Sequence, residues 1–392
     1  MSGQAKVVKP EYSIPTMTEV ESVSPNGYKA ISTFSGCGGS SLGYRMAGYQ
    51  VVWANEFIDI AARTYRLNSP QAIVNQADIR QLKPSDILQE IGMSVGELDL
   101  MDGSPPCASF STAGQGSKHW GEVKTYSETK QRVDDLFFEF ARLVKGLQPK
   151  VFIAENTSGL IKGKAKGYFK LILQELKSCG YKVEAKLLDA QWLGVPQSRQ
   201  RVIFCGVRQD LDLSPVFPQP LPYRYSVREA LPWVRKINLK ASNYVPSNRP
   251  SPTVLASDAT GNTTGRAQFS SGGYIEAETD MSPYAVGREW DKLRMGQRSD
   301  KYFNLSKPHL DRPCPTITAR GRANTAGVAH PTERRKFSIA ELRCICSFPP
   351  DFKLIGTYPQ QWERLGRAVP PLMMKAIAES ITSGILQEAK SG

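Results

Sequence analysis

From Lys29 to Arg208 the chain repeats one rhythm, in which apolar runs of strand length alternate with amphipathic stretches of helical spacing. Val151-Phe152-Ile153-Ala154 is a short continuous apolar run, whereas Asp135-Leu136-Phe137-Phe138-Glu139-Phe140-Ala141-Arg142-Leu143-Val144 turns its apolar residues to one side of a helix. That alternation predicts an α/β fold with a doubly wound, mainly parallel sheet over residues 28–208. The rhythm stops at a proline-rich connector, Leu213-Ser214-Pro215-Val216-Phe217-Pro218-Gln219-Pro220-Leu221-Pro222. The stretch 209–344 is rich in Gly, Ser, Asn and Arg and reads as a smaller, irregular domain. Helical spacing returns near Ser338. A helix over Leu372 to Leu386, opened by Pro370-Pro371, is expected within a segment, 345–392, that packs back on the first domain. Residues 1–27 hold three prolines and little pattern, as expected of a flexible or loosely docked arm.

Composition narrows the function classes. With 50 Lys and Arg against 37 Asp and Glu, the net charge of +13 suits a polyanionic partner. No stretch approaches the ~20 apolar residues of a membrane span, and Met1 to Asn26 carries no signal peptide, so a cytoplasmic protein with no membrane partner is expected. The seven cysteines lack paired Cys-x-x-Cys spacing, and Cys344-Ile345-Cys346 has no histidine close by. With His119, His309 and His330 as the full histidine complement, no metal site is expected. Catalysis then rests on thiol, carboxylate and guanidinium groups.

Four segments carry those groups. Asp102-Gly103-Ser104-Pro105-Pro106-Cys107 ends an apolar run by presenting one thiol on a turn stiffened by two prolines. Most free cysteines are structural, so Cys107 gains weight as a nucleophile only from its company. Glu155-Asn156 closes the Val151 run, at the carboxyl end of a strand, where open α/β sheets bind their ligands. Gln197-Ser198-Arg199-Gln200-Arg201 leads into Val202-Ile203-Phe204-Cys205, and the two arginines, two positions apart, are expected to share a face. Thr33-Phe34-Ser35-Gly36-Cys37-Gly38 is a strand followed by a glycine turn that lets the backbone approach a nucleotide-like cofactor.

As an ordered set, these segments resemble the cytosine-C5 DNA methyltransferase family. Arg312-Pro313-Cys314-Pro315-Thr316-Ile317-Thr318 and Gly366-Arg367-Ala368-Val369-Pro370-Pro371 resemble its last two blocks, so the likeness covers about 28–208 and 312–385. A near-repeat, Arg249-Pro250-Ser251-Pro252-Thr253-Val254, is set aside because the residues after Arg312 continue the family pattern. The resemblance implies a Rossmann-like, S-adenosylmethionine-dependent fold with a target recognition domain, and a monomer acting on double-stranded DNA. It also implies roles. Cys107 adds to C6 of cytosine, its thiolate favoured by Arg199 or Arg201. Glu155, protonated, serves N3. Phe34 stacks on the cofactor adenine, Glu56 binds the ribose hydroxyls and Asp78 the adenine amino group, with Gly36, Gly38, Ile79 and Pro106 lining the same site. Ser104, Asn156, Thr157 and Gln197 hold a target base flipped from the duplex.

Two positions depart from the pattern: Ala108 stands where the family often has Gln, and Arg367 where it usually has Asn. Both are expected near the transferred carbon. An arginine beside a sulfonium calls for a compensating anion, and one candidate is the carboxylate of carboxy-S-adenosylmethionine, with Ala108 giving room. The product is then 5-carboxymethylcytosine. The alternative is that Arg367 turns to a phosphate or surface acid in an ordinary methyltransferase of a restriction-modification or phage system, using S-adenosylmethionine. A transfer-RNA cytosine methyltransferase fits less well, because the Cys-Phe-Thr tripeptide usual there is absent. A nicotinamide oxidoreductase needs none of the Cys107, Glu155 and Arg199 set. Recognition of sequence is expected from about 209–311, with Arg266, Arg288 and Arg294 as candidate base readers.

Overall fold

The computed structural model describes residues 8–106, 136–163, 165–236 and 277–391, together with the backbone of four short strands in the remainder. Cys107, Ala108, Arg266 and the near-repeat at Arg249 lie outside the described residues.

The apolar runs become strands β1 (Lys29–Thr33), β2 (Gln50–Asn55), β3 (Ile73–Asn75) and β4 (Leu100–Gly103). After a small two-stranded ribbon, β5 (Val123–Tyr126) and β6 (Thr129–Arg132), come β7 (Val151–Thr157), β8 (Tyr181–Asp189) and β9 (Gln200–Arg208). Seven of these form one sheet in the order β3-β2-β1-β4-β7-β9-β8. β1 pairs in parallel with β2 and β4, and β7 with β4, while β9 runs antiparallel to β7 and β8. The reversal at β9 returns its start, at Gln200, to the carboxyl end of β7, where Arg201 lies opposite Thr157.

Helices cover both faces, as a sheet of continuous apolar strands requires. The helices in chain order are α1 (Met17–Glu21), α2 (Gly39–Met46), α3 (Asp59–Asn68), α4 (Pro84–Ile91), α5 (Leu136–Leu147) and α6 (Ala165–Ser178). They continue with α7 (Val227–Ala230), α8 (Ala285–Lys292), α9 (Ile339–Ile345), α10 (Tyr358–Arg367) and α11 (Pro371–Ile381). One face of the sheet, with Ile31, Met101, Phe152 and Phe204, packs on α4, α5 and α6 through Ile87, Phe140 and Ile172. The other face, with Ala30, Leu100, Ile153 and Cys205, packs on Tyr44 of α2 and on Met373, Met374, Ile377 and Ile381 of α11.

The helix expected after Pro370 thus closes one face of the sheet from the far end of the chain. It does so at very short range, because α2 offers Gly43: a Cβ there would stand 2.5 Å from the Pro371 carbonyl oxygen and 2.6 Å from Met374 Cβ. A third core joins Leu42 and Met46 of α2 to Val227, Leu231, Cys314, Phe337, Leu342 and Trp362, so the stretch beyond residue 209 packs around the same helix. The amino-terminal arm, expected to be flexible or loosely docked, is tied down from Lys9, which pairs with Glu229, onward. Thr16 and Glu19 cap α1 reciprocally, the Tyr12 hydroxyl donates to the Cys344 carbonyl at 2.7 Å, and the Met17 amide donates to Asp351 at 2.9 Å.

Gly43→Ala should destabilise the protein by about 1–3 kcal/mol, because neither Pro371 nor Met374 can retreat without shifting α11. A denaturant melt checks this; an unchanged midpoint would show that the contact between α2 and α11 is slack.

Candidate active site

The site is built where β1, β4 and β7 end. β1 stops at Thr33, and the next residue, Phe34, takes the left-handed conformation at φ 52°, a strained choice for an aromatic residue. Gly36 and Gly38 follow at φ 57° and 95°, so the chain folds into a tight cradle before α2 begins. A Cβ at Gly36 would meet nothing within 4 Å, which leaves its backbone open to a ligand, whereas one at Gly38 would touch the Tyr65 ring at 3.1 Å.

Glu56, just past β2, organises this cradle. One carboxylate oxygen accepts the Gly36 amide at 2.7 Å and the other the Ile58 amide at 2.8 Å. Glu56 is 7 % exposed, and burial raises its pKa against the lowering effect of those amides and of Arg364 and Arg367. Asp78 accepts the Arg80 amide at 3.0 Å and pairs with its guanidinium, and Ile79 beside it is buried. An open glycine turn, a partly buried aromatic, a desolvated carboxylate bound to the turn and a second carboxylate on the next strand's loop suit a nucleoside cofactor bearing ribose hydroxyls. Phe34, Gly36, Gly38, Glu56, Asp78 and Ile79 are therefore gathered at one edge of the sheet.

Glu155 and Arg201 meet at the end of β7. Glu155 is 9 % exposed and forms an ion pair with Arg201. The next residue, Asn156, donates its side-chain amide to the Pro105 carbonyl at 3.0 Å and accepts the Thr157 amide at 2.8 Å. The acid strand is thereby bonded directly to the loop of Ser104, Pro105 and Pro106, which leads to Cys107.

Arg199 and Arg201 part company. Arg199 precedes β9, is 2 % exposed, and donates from Nη1 to the Ile317 carbonyl at 2.9 Å and from Nη2 to the carbonyls of Gly366 and Arg367 at 3.0 and 3.2 Å. Its fork gathers the last two sequence blocks. Gln197 is fully buried too, donating to Cys346 Sγ at 3.4 Å and pairing in backbone with Cys314. Arg201 is the arginine on the face of Glu155.

Arg367 ends α10, and its Nε donates to Glu363 Oε1 at 2.8 Å, an oxygen that also lies 3.1 Å from Arg364 Nη2. The anion called for beside Arg367 is thus present in the chain itself. The sequence motifs gave Glu363 and Arg364 no role, although Glu363 and Arg367, four apart in one helix, are a legible pair. Arg288 and Arg294 are exposed, on and just after α8. Among the described residues, no group of three or more His, Cys, Asp or Glu is placed to hold a metal ion, and no helix is long and apolar enough to cross a membrane.

A mostly parallel seven-stranded sheet with helices on both faces and this glycine cradle is the Rossmann-like fold of the S-adenosylmethionine-dependent methyltransferases. The chain belongs to the C-5 cytosine-specific DNA methylase family, whose profile matches residues 28–383. It is 31 % identical over 363 residues to the type II methyltransferase M.NgoFVII of Neisseria gonorrhoeae, covering 91 % of this chain and 87 % of that one. It is also 31 % identical over 385 residues to M.DdeI of Desulfomicrobium norvegicum, covering 90 % and 88 %. In fold it resembles an E. coli prophage protein described as a DNA modification methyltransferase, with a TM-score of 0.67 at 22 % identity over 92 % of this chain and 100 % of the other. A DNMT2 variant of Spodoptera frugiperda superposes with a TM-score of 0.58 at 16 % identity over 93 % of this chain and 100 % of that one.

The two arginines should separate in mutagenesis. Arg199→Lys loses the fork and should cost about 2–3 kcal/mol in a thermal melt, since carbonyls from two segments lose charged donors. Arg201→Lys should melt within a degree or two of the wild type and lose turnover; equal effects on stability from both would refute the division.

Proposed function

We propose that this chain modifies C5 of a cytosine flipped out of double-stranded DNA, through a covalent bond between Cys107 and C6. The observation that carries the reading is the bond from the Asn156 amide to the Pro105 carbonyl, which joins the Glu155 strand to the loop preceding Cys107. C5 of cytosine is a weak nucleophile, and addition of a thiolate at C6 turns it into an enamine carbon. The negative charge that develops drains through N3, so a proton held there by Glu155 lowers the barrier. Arg201, paired with Glu155, holds that carboxyl in place. Ser104, Asn156 and Thr157 line the same strand ends and suit the edges of an extrahelical base.

S-adenosylmethionine, when bound, supplies the methyl group as an electrophile. Phe34, the Gly36–Gly38 turn, Glu56, Asp78, Ile79 and Pro106 would hold it, with Glu56 toward the ribose hydroxyls. The C5 proton then passes to water, the N3 proton returns to Glu155, and elimination of the Cys107 thiolate releases the product. The relatives named as type II methyltransferases support a role beside a restriction enzyme.

A second reading, carboxymethyl transfer from carboxy-S-adenosylmethionine, rests on the departures at Ala108 and Arg367, with Arg367 at the end of α10. Its contact with Glu363 weighs the other way, because a guanidinium already paired has less need of a cofactor carboxylate. Ala108 would leave room for either group.

Duplex DNA supplied with each cofactor in turn, followed by mass analysis of the deoxycytidine, tests both readings. The expected product is 5-methyldeoxycytidine from S-adenosylmethionine. A carboxymethyl product would establish the second reading, and an Arg367→Asn variant that gains methyl transfer at its expense would tie it to that residue. Cys107→Ala should abolish turnover, and Glu155→Gln should lower kcat about 10²–10⁴-fold. Activity on RNA alone, or turnover that survives the loss of Cys107, would refute the proposal.

A further inference from the structure

Asp102 sits where an interior strand has no structural use for a carboxylate. β4 lies between β1 and β7, and its neighbours Leu100 and Met101 are fully buried and apolar, as expected of such a strand. Asp102 is 1 % exposed, and among the described residues no lysine or arginine forms an ion pair with it. Its partners are hydroxyls. Ser32 Oγ donates to one carboxylate oxygen at 2.9 Å, and the Tyr44 hydroxyl donates to the other at 3.1 Å, with Ser40 contributing a further bond. An apolar residue of similar volume would serve the stability of a core strand as well or better.

The donors identify what is being held. Ser32 belongs to β1, two residues before Phe34, and Tyr44 and Ser40 belong to α2, which begins directly after Gly38. The carboxylate therefore clasps the two elements that flank the cofactor cradle. The backbone of Asp102 joins the same clasp, since its carbonyl accepts Thr33 Oγ1 at 3.1 Å. On the other side, Gly103 leaves no slack: a Cβ there would stand 2.5 Å from the Phe140 ring and 2.6 Å from Thr33 Oγ1. Ser104, Pro105 and Pro106 then carry the chain to Cys107.

We propose that Asp102 is a positioning residue for the transfer reaction, locking the cofactor cradle of β1 and α2 to the strand that delivers Cys107. Two reactants brought to one base from different strands gain rate only if their separation is held, and a carboxylate taking hydroxyls from both flanks of the cradle supplies that constraint. The inference rests on the Cys107 chemistry proposed above. Wild-type turnover on duplex DNA tests that chemistry, and the variants are scored only relative to it.

The titratable groups acting on or responding to Asp102 are Tyr44 from α2, Tyr65 from α3 and Glu155 from β7. Burial pushes its carboxyl up from 3.8 to about 7, so the clasp is divided between two states near neutrality. Ionised, it accepts every hydroxyl as a charge-assisted bond; protonated, it gives up one acceptor position. Because the folded value lies above the unfolded one, Asp102 contributes stability that is full below about 3.8 and lost as pH rises through about 7. Function runs the opposite way, with the clasp tightest at the higher pH.

The test uses steady-state kinetics of the full chain with S-adenosylmethionine and duplex DNA. Asp102→Asn should raise the KM for S-adenosylmethionine and lower kcat, each about tenfold, with the KM for DNA within about twofold. The wild-type KM for S-adenosylmethionine should fall between pH 6 and 8, and the variant should lose that dependence. Tyr44→Phe and Ser32→Ala, which each remove one donor, should move the same two parameters by less and add only in part in the Asp102→Asn background, where one amide oxygen still accepts. These single-donor variants decide the matter if Asp102→Asn does not fold. Wild-type kinetics in the variants, losses confined to melting temperature, or donor effects that add fully to Asp102→Asn would overturn the proposal.

Discussion

The buried guanidinium of Arg199 is the interaction on which the rest of the site depends. It draws carbonyls from Ile317, Gly366 and Arg367 onto the segment that opens β9, and so brings two stretches more than a hundred residues downstream against the catalytic sheet. A lysine has one compact charge and cannot span acceptors on two segments; a planar fork can. With those segments in place, α10 closes over the glycine turn, where Cys37 Sγ approaches the Arg364 carbonyl at 3.7 Å. α11 then lies on Gly43. Sheet, cradle and carboxyl-terminal helices become one packed body.

Within that body the charges are divided by depth. Arg199 is spent on backbone carbonyls, and Arg201 faces Glu155 at the strand ends, although the two differ by only two positions in sequence. Near the cradle, Glu56 is bound by two amides, while Glu363 takes both Arg364 and Arg367. Each carboxylate near the cofactor turn therefore has a fixed set of donors, which keeps the cradle's geometry from depending on mobile surface charge.

The alternation of apolar runs was sufficient to read the sheet, because strands buried on both faces must be continuously apolar and the helices between them one-sided. The Gly36–Gly38 turn was legible because left-handed backbone favours glycine, and the place of Glu155 near the end of β7 because the apolar run stops there. The helix after Pro370 was legible from its opening prolines. Less was readable in the Glu363–Arg367 pair, because its four-residue spacing is common on the surface of any helix. Asp102 begins the run that ends in Cys107, yet its role is invisible there, because its hydroxyl partners Ser32 and Tyr44 are 70 and 58 residues away. The arm looked loose because its docking contacts, Cys344 and Asp351, are more than three hundred residues distant.

The sequence by itself determined the class of fold and the order of its blocks, because periodicity and residue spacing are local properties. Only the tertiary structure decided which of two alternate arginines meets Glu155, what anion accompanies Arg367, and that Asp102 takes hydroxyls from both β1 and α2. Those outcomes depend on strand register and on the reversal of β9, which turn the chain back so that residues far apart compete for the same few ångströms. Local composition carries no record of that competition.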